Sequence, residues 1–332
     1  MNAGQTDRQA EARPDELADD NPVRIKKEEL SELSRLNQFI SSFYIVAEWA
    51  SIIIAVIICD RFWNPFLYVV TVVFIGARQH ALLILMHDGA HYRLFRNRIL
   101  NDWVSEILLS WPTLVTMRSY RRHHFAHHRY MNSDRDPDWV RKKDDPSWFF
   151  PKRWTDLTRL LVGETLGLGA ISNIRLAFML ASRDTEVARV FNFGRIAFYV
   201  TVAAVIVWLR GGQIFLLYWL VPFLTWLMLV LRLRSIAEHF AIAGGAGIYS
   251  KVRTTRAGVF GRLFIAPLNI NLHTEHHVFP SVPFYRLPKL QRLLMSNAGF
   301  RSAVHLSEGY RGVLRECSDA GATPADPFGR IA

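Results

Sequence analysis

Apolar residues are concentrated in four long runs, and most charged residues fall between them. The runs occupy residues 43–59, 66–86, 193–209 and 213–231. A helix of about 21 residues spans roughly 31 Å, enough to cross a hydrocarbon layer of about 30 Å. Short polar breaks at 60–65 and 210–212 join the members of each pair. The pattern predicts an all-α integral membrane protein whose four transmembrane helices form two hairpins.

The distribution of basic residues predicts how the chain is oriented. The two short breaks carry one basic residue each, Arg61 and Arg210, whereas residues 87–192 carry seventeen. Because cytoplasmic loops are enriched in Lys and Arg, both termini and this long segment are predicted to face the cytoplasm. The segment would then form part of a cytoplasmic helical cap. The formal net charge of +11 is explained by anionic membrane lipids, and we expect no nucleic-acid partner.

The ends of the chain differ in composition from its centre. Residues 1–27 are polar and acidic and are predicted to form a flexible tail, and residues 306–332 a polar C-terminal tail. One membrane domain is expected over residues 28–305. Arginine outnumbers lysine 33 to 7, which is typical of a GC-rich bacterial source, so we expect a bacterial inner membrane protein.

Histidines give the sequence its most specific pattern. Eleven of the twelve lie between His80 and His277, mostly in three clusters at helical spacing. The clustered histidines are His87 and His91; His124, His127 and His128; and His273, His276 and His277. Residues i, i+3 and i+4 share one face of a helix, so each cluster can direct its imidazoles to one point.

These clusters predict a metal centre. Neutral imidazole binds Fe, Zn, Cu and Ni, and eight clustered imidazoles exceed the four ligands of one tetrahedral zinc. We therefore expect two ions with about four ligands each. His239, about two turns beyond the fourth apolar run, is a candidate to complete the set. With only two cysteines and no dense carboxylate cluster, iron–sulfur and carboxylate-bridged centres are disfavoured.

Acidic residues within the clusters have a predicted supporting role. A ligating imidazole usually donates its second N–H to a carboxylate or carbonyl. Asp88, Glu238 and Glu275 are placed to accept such bonds. Asp136 and Asp138 are weaker candidates for the same role, and the preferred interpretation of these two is solvated surface charge.

Three histidines need separate interpretations. His123 neighbours the second cluster but lies off its ligating face, which favours a supporting or surface role. His80 lies deeper in the second apolar run, where we expect it to be buried and hydrogen-bonded to Arg78 or Glu48. His305 is predicted to lie on the surface.

The three clusters carry a resemblance to a known family. The segments HDGAH, RRHHFAHHRY and NLHTEHHVFPSVPFYRLP resemble the three histidine boxes of the membrane fatty acid desaturases. The resemblance covers roughly residues 40–295, including the two-hairpin layout and Asn271 before the third box. It implies a non-haem diiron centre that uses O2 to remove hydrogens from an acyl chain. The implied iron ligands are His87, His91, His124, His127, His128, His239, His273, His276 and His277, with Asp88, Glu238, Glu275, Asn271 and His123 around them.

The resemblance also implies what the enzyme works with. The expected substrate is an acyl lipid, because the first box has three intervening residues where acyl-CoA members usually have four. The haem-binding HPGG signature and a dinucleotide fingerprint are absent from the sequence. We therefore expect electrons from a separate donor protein of the ferredoxin, rubredoxin or cytochrome b5 type.

Other functions remain open from the sequence. A hydroxylase or a ketolase of a lipid or carotenoid would use the same centre, as would a desaturase of a small amino-acid-derived substrate. A histidine-rich metal transporter or haem carrier is the alternative from another class. It is disfavoured because a transporter places its polar ligands within the spans, whereas these clusters lie outside them.

Overall fold

The computed structural model describes residues 23–182, 189–242 and 247–318. These residues are mostly helical. The α-helices are α1 (Lys27–Leu33), α2 (Gln38–Arg61), α3 (Pro65–Ala90), α4 (Arg98–Val104), α5 (Met117–Tyr130), α6 (Pro137–Val140), α7 (Trp154–Thr165), α8 (Ala170–Ser182), α9 (Arg189–Trp208), α10 (Gly212–Phe215), α11 (Val221–Leu224), α12 (Trp226–His239), α13 (His273–Val278), α14 (Leu287–Ser296), α15 (Ala298–Ala303) and α16 (Gly309–Glu316). These ranges also contain two short strands, β1 (Arg253–Thr255) and β2 (His305–Ser307), and several short π-helical and 3₁₀-helical segments.

Four stretches of the described chain are long and apolar enough to cross a membrane. They are Lys27–Arg61, Pro65–Ala90, Val190–Trp208 and Gly212–His239. Each overlaps one of the four apolar runs, so the expectation of four candidate spans is confirmed, although the helices extend beyond the runs. Large apolar side chains on these helices, including Phe66, Phe193 and Trp208, are exposed, as expected of a surface that contacts lipid.

Asparagine side chains mark where the first two long helices begin. Asn37 precedes α2 and its side chain accepts hydrogen bonds from the backbone of Phe39 and Ile40. Asn64 precedes α3 in the same way, followed by Pro65 at the first helical position. These are standard N-terminal signals, because the first amides of a helix have no partner within it and proline donates none.

Helix α3 is the central element of the fold. It packs against α2, α5, α11 and α12, and Ile75, Leu82 and Leu85 on it are completely buried. At Gly76, a Cβ atom would lie 2.7 Å from the Cβ of Trp226. The glycine therefore allows α12 to approach α3 more closely than any side chain would permit.

An ion pair links α2 and α3 within their apolar stretches. Arg78 Nη1 lies 3.1 Å from Glu48 Oε2, and the same guanidinium donates to the carbonyl of Leu263. The expectation that His80 would bond to Arg78 or Glu48 is wrong, because these two charged residues bond to each other. His80 is nevertheless completely buried, as expected.

The C-terminal part departs from two expectations. Strands β1 and β2 pair in parallel, with Thr254 opposite Leu306, so the described chain is mostly rather than purely α-helical. Residues 306–332 were expected to form a polar tail, yet those up to residue 318 form the rest of β2 and α16, and Cys317 is completely buried. The reason is amphipathicity, since Val313 and Cys317 join a core with residues of α12. Residues 319–332, like residues 1–22 of the predicted N-terminal tail, lie outside the described ranges.

A buried arginine fixes this C-terminal segment to α12. Arg253 donates to the carbonyls of Ile236 and Ala237 in the last turn of α12. It also lies 2.9 Å from the carboxylate of Glu316 at the end of α16. Because carbonyls at a helix C-terminus lack partners within the helix, the guanidinium supplies donors that they need.

Candidate metal centre

Histidines of the first box project from the C-terminal end of α3. His87 lies within its last turn and His91 immediately follows the helix, one turn further along. The carboxylate of Asp88 accepts a hydrogen bond from the backbone amide of Phe284. This contact joins the end of α3 to the segment that follows the third box.

The second box lies on one face of α5. His124, His127 and His128 are all buried, whereas Arg122 and Arg129 on the opposite face are exposed. The helix therefore has two different polar faces, with imidazoles on the inner side and guanidiniums on the outer side. Tyr120, one turn earlier, stacks on His124 with 5.2 Å between ring centroids.

The third box forms the short helix α13, which positions His273, His276 and His277. All three are buried. His239 is the last residue of α12 and meets this helix, with its Nε2 atom 2.9 Å from His273 Nε2. The structure therefore brings all three boxes and His239 together.

The imidazoles form two groups, and the boxes are divided between them. The first group contains His87, His91, His124, His128 and His276. Within it, His124 Nε2 lies 2.9 Å from both His91 Nε2 and His128 Nε2. His276 Nε2 lies 3.2 Å from His128 Nε2.

The second group is centred on His239. His127, His239 and His277 form one cluster of potential ligand atoms, and Glu238, His239 and His273 form an overlapping one. His127 Nε2 lies 3.2 Å from His239 Nε2. We treat His127, His239, His273 and His277 as one second group.

The chemistry of these atoms fits metal binding. Two nitrogens bound at about 2.1 Å to one ion and at right angles to each other lie about 3 Å apart, which matches the 2.9–3.2 Å separations. Neither ring nitrogen of His87 or of His277 has a hydrogen-bond partner in the described chain, although all four atoms are buried. Buried polar atoms normally have partners, so a ligand for these nitrogens is needed.

Burial also keeps the imidazoles in the form that binds metal. Desolvation, followed by the positive charges of Arg93 and Arg121, lowers the pKa of His91 to about 3. Burial together with neighbouring histidines holds the pKa of His124, His128 and His276 well below its ordinary value. These rings are therefore neutral at cellular pH, with a lone pair free for coordination.

Outer hydrogen bonds orient two rings of the second group. His127 Nδ1 lies 2.9 Å from Asp136 Oδ2, and His239 Nδ1 lies 3.1 Å from the carbonyl oxygen of Lys251. With a proton on each Nδ1, both Nε2 atoms present lone pairs. The interpretation of Asp136 as a solvated surface charge is wrong: this residue is completely buried. Sequence reasoning missed the Lys251 carbonyl because a backbone acceptor has no residue signature.

The predicted supporting carboxylates have different surroundings. Asp88 Oδ1 lies 3.6 Å from His87 Nδ1, and Glu238 Oε1 lies 3.5 Å from His273 Nδ1, so both lie beside the histidine groups. Glu275 instead accepts a hydrogen bond from Thr254 Oγ1 at 2.6 Å. Its carboxylate links α13 to β1.

Asn271 and His123 were also expected around the ligand histidines, and the structure gives each of them a different setting. Asn271 Nδ2 donates to the carbonyl of Thr255, which ties the start of the third box to the small sheet. His123 is half-buried and lines a cavity of about 260 Å³ that also reaches His124, His127, His239 and His273. This cavity gives a small molecule access to the histidines.

Comparison with known proteins identifies the class. The model of the fatty acid desaturase family matches residues 61–308, well over half of the chain. The chain belongs to the fatty acid desaturase family and is an oxidoreductase of the desaturase type. Together with its four apolar helices, membership in this family indicates a membrane protein.

Individual relatives carry desaturase names. The chain is 26% identical over 293 residues to the dihydrorhizobitoxine desaturase of Bradyrhizobium elkanii, which covers 82% of this chain and 80% of that protein. It is 27% identical over 222 residues to a sphingolipid delta(4)-desaturase/C4-monooxygenase of Rattus norvegicus, covering 66% of this chain and 62% of the relative. A sphingolipid delta(4)-desaturase of Drosophila melanogaster is 25% identical over 71% of this chain and 68% of its own length.

Proposed function

We propose that this protein is an O2-dependent membrane desaturase that removes two hydrogens from the acyl or related aliphatic chain of a lipid-like substrate. The observation that carries the proposal is the meeting of nine imidazoles in two groups, with ligand atoms about 3 Å apart. Nine imidazoles supply more nitrogen ligands than one tetrahedral ion takes. A pair of ions accommodates them.

The two groups are the proposed ligand sets of two iron ions. One ion would be held by His87, His91, His124, His128 and His276, and the other by His127, His239, His273 and His277. When bound, the iron pair supplies the dioxygen chemistry that breaks unactivated C–H bonds. Imidazole ligands suit iron, zinc, copper and nickel alike, so the choice of iron follows from the family rather than from the ligand type.

Residues around the groups have the supporting roles in this proposal. Asp136 and the Lys251 carbonyl hold His127 and His239 in the tautomer that presents Nε2 inward. Asp88 lies close enough to His87, and Glu238 to His273, to accept a hydrogen bond from the outer ring nitrogen when a metal is bound. Loss of such an outer partner typically weakens metal binding or activity by about 10- to 100-fold.

Two electrons and two protons are required for each turnover. The substrate CH2–CH2 unit is oxidised to CH=CH, and O2 is reduced to two molecules of water with two electrons from an external donor. We propose a separate donor protein of the ferredoxin, rubredoxin or cytochrome b5 type.

Membrane topology follows from the same arrangement. We propose that the four candidate spans form two hairpins, that residues 28–305 and the folded segment up to 318 form one membrane domain, and that the helices bearing histidines cap it on the cytoplasmic side. The C-terminal ends of α3 and α12 both reach the histidine groups, which supports a common side for the cap. From the positive-inside rule we propose that this side and both termini face the cytoplasm. From the excess of arginine over lysine we propose that the membrane is a bacterial inner membrane.

A monooxygenase is the second candidate function. It is favoured by one finding, that the relative in Rattus norvegicus is named both a desaturase and a C4-monooxygenase. The two reactions differ only in the fate of the substrate after the first C–H bond is broken. Product mass separates them, since desaturation removes two hydrogens and hydroxylation adds one oxygen.

The test combines metal analysis with product analysis. The purified full-length chain is expected to contain about two iron ions, and lipid extracts of cells expressing it to contain products two hydrogens lighter than their precursors. The His276→Ala variant should insert into the membrane but form no product. His305→Ala, which changes a histidine outside both groups, is the matched control and should retain iron and product. Full turnover by His276→Ala would contradict the proposal.

A further inference from the structure

The cavity beside the histidines has one apolar wall and one charged wall. The apolar wall includes Leu83 and Met86 on α3, and Leu227 and Met228 on α12. Leu83 lies one turn before His87, so this wall leads directly to the first histidine group. An aliphatic chain can be accommodated here without loss of hydrogen bonds.

The charged wall is unusual for a site that binds only hydrocarbon. Lys142, which is 3% exposed, places Nζ 2.5 Å from Asp138 Oδ2 and 2.6 Å from Ser235 Oγ. Arg232 Nε lies 2.7 Å from Glu164 Oε1, and its guanidinium stacks on Trp148. These side chains all line the cavity. A methylene chain against them would remove water from several charges, which is unfavourable unless other hydrogen bonds compensate.

Two polar atoms on this wall have no partner in the described chain. Glu164 is buried, yet only Oε1 is hydrogen-bonded and Oε2 is not; Nε of Arg141 is likewise unpaired. Gly169 lies against the free oxygen, since a Cβ there would be 1.7 Å from Glu164 Oε2. The wall thus offers one free acceptor on an acid and one free donor on a base.

The charged wall also lies near the histidines. Ser235 and His239 are four residues apart on α12, which places them one turn apart on the same face, about 6 Å along the axis. Lys142 is bonded to Ser235. Glu164 is bonded to Arg232, which lies about two turns, or roughly 10 Å along the axis, before His239. A polar group held by Glu164 would therefore lie about two helical turns from the second histidine group.

Building on the proposed function, we propose that the substrate has a compact zwitterionic head of the amino acid type, with an ammonium group bound by Glu164 and a carboxylate facing Arg141. Its aliphatic chain lies along the apolar wall, and oxidation takes place in the part of the chain that reaches the histidine groups, roughly 10 Å from the head. A head of both signs satisfies the free acceptor and the free donor together, which a head of one sign cannot do.

Three probes with the same twelve-carbon chain test the head. The purified iron-loaded full-length protein in nanodiscs is titrated, without reductant, with 2-aminododecanoic acid, dodecanoic acid and dodecylamine. The amino acid is expected to bind about tenfold more tightly than either singly charged probe, since each of those lacks one charge-assisted hydrogen bond. Equal affinities, or tightest binding of dodecanoic acid or dodecylamine, would overturn the proposal.

Variants assign the two ends of the head. Glu164→Gln should weaken binding of 2-aminododecanoic acid and dodecylamine by about tenfold and leave dodecanoic acid unaffected. Arg141→Gln should weaken binding of 2-aminododecanoic acid and dodecanoic acid by about tenfold and leave dodecylamine unaffected. Gly169→Ala keeps the charge but displaces the Glu164 carboxylate, and should act like Glu164→Gln. Asp156→Asn, an exposed site on the same helix, is the matched control. If Glu164→Gln does not fold, the head assignment is still tested by the affinities of the wild type for the three probes and by the effect of Gly169→Ala on those affinities.

Adding O2 and a reductant separates this proposal from the proposed function. Preferred binding of the amino acid without loss of hydrogens from it, in protein holding two irons, would contradict the desaturase and leave the head assignment supported. Loss of two hydrogens from all three probes at equal affinity would contradict the head assignment and leave the desaturase supported.

Discussion

The two histidine groups use the same side chain but are supported in different ways. In the second group, a carboxylate and a backbone carbonyl fix the outer nitrogens of His127 and His239. In the first group, both nitrogens of His87 lack a hydrogen-bond partner in the described chain, and the nearest carboxylate oxygen, on Asp88, is 3.6 Å away. His127 and His239 are therefore oriented by hydrogen bonds before any metal binds, whereas His87, like His277 of the second group, is positioned by packing.

The histidines of one sequence box do not all belong to the same group in the structure. The second box gives His124 and His128 to the first group and His127 to the second. The third box is divided in the opposite proportion, with His276 in the first group and His273 and His277 in the second. Helices α5 and α13 therefore each supply histidines to both proposed ions.

Removing two histidines from one helix tests whether the two groups are separate sites. His124→Ala with His128→Ala removes two ligands of one proposed ion, whereas His124→Ala with His127→Ala removes one ligand of each. We expect both double variants to lose turnover by more than about 100-fold, because even outer partners are worth 10- to 100-fold.

Iron content distinguishes the two double variants. The first keeps the second group intact and should hold about one iron per chain at wild-type affinity, whereas the second has no intact group and should hold none at that affinity. Elemental analysis of the purified proteins after a chelator challenge measures this difference. Equal retention of iron by both variants in that challenge would show that the groups are not separate sites. The conservative control is His305→Ala, which should keep about two.

A smaller effect is expected from the outer shell of the second group. Asp136→Asn keeps the shape of the side chain but removes the negative charge that accepts a hydrogen bond from His127 Nδ1. The variant should bind one of the two irons about 10- to 100-fold more weakly. Chelator competition, followed by the colour of released iron, measures this loss. Asp134→Asn, at a residue whose side chain is exposed, should leave both irons unchanged. An unchanged affinity in Asp136→Asn would mean that burial alone orients His127.

The smallest effect is expected at the support of α12, which carries His239. Burial alone would raise the pKa of Glu316, but hydrogen bonds from His305 and Ser307 and the charge of Arg253 lower it below its ordinary value of 4.5. A carboxylate with a lowered folded-state pKa contributes stability above its unfolded pKa and loses it as the pH falls through the folded value. The wild type should therefore lose this contribution below about pH 4.5.

Glu316→Gln tests this dependence. Above pH 4.5 the variant should be less stable by roughly 1–2 kcal/mol, a value reduced for partial exposure of the carboxylate. At lower pH its thermal midpoint should converge with that of the wild type. Glu308→Gln, at an exposed ion pair with Arg256, is the control. A constant difference across the pH range would remove Glu316 from the pH dependence.

Local spacing accounts for what the sequence predicts correctly. The four apolar runs and the three boxes are patterns within one helix, where 3.6 residues per turn relates position to face. The division of each box between two groups depends on how α5 and α13 pack against α3 and α12, which no single segment encodes. The expectations about Asp136 and the C-terminal segment failed for this reason, since their partners His127 and Arg253 lie across a turn or across the fold.

The charged wall of the cavity was also beyond prediction. Asp138, Lys142, Glu164 and Arg232 are spread over almost one hundred residues, and none belongs to a box. Read singly, each resembles an ordinary interfacial charge. Only the packing of α7 against α12 makes them one surface beside the histidines.

The ion pair between Glu48 and Arg78 has a consequence for biogenesis. A lone acid or arginine at the centre of a span costs roughly 2.5–3.5 kcal/mol for insertion into the bilayer. Because each charge neutralises the other only when α2 and α3 are side by side, the translocon should release these two helices into lipid together rather than one after the other.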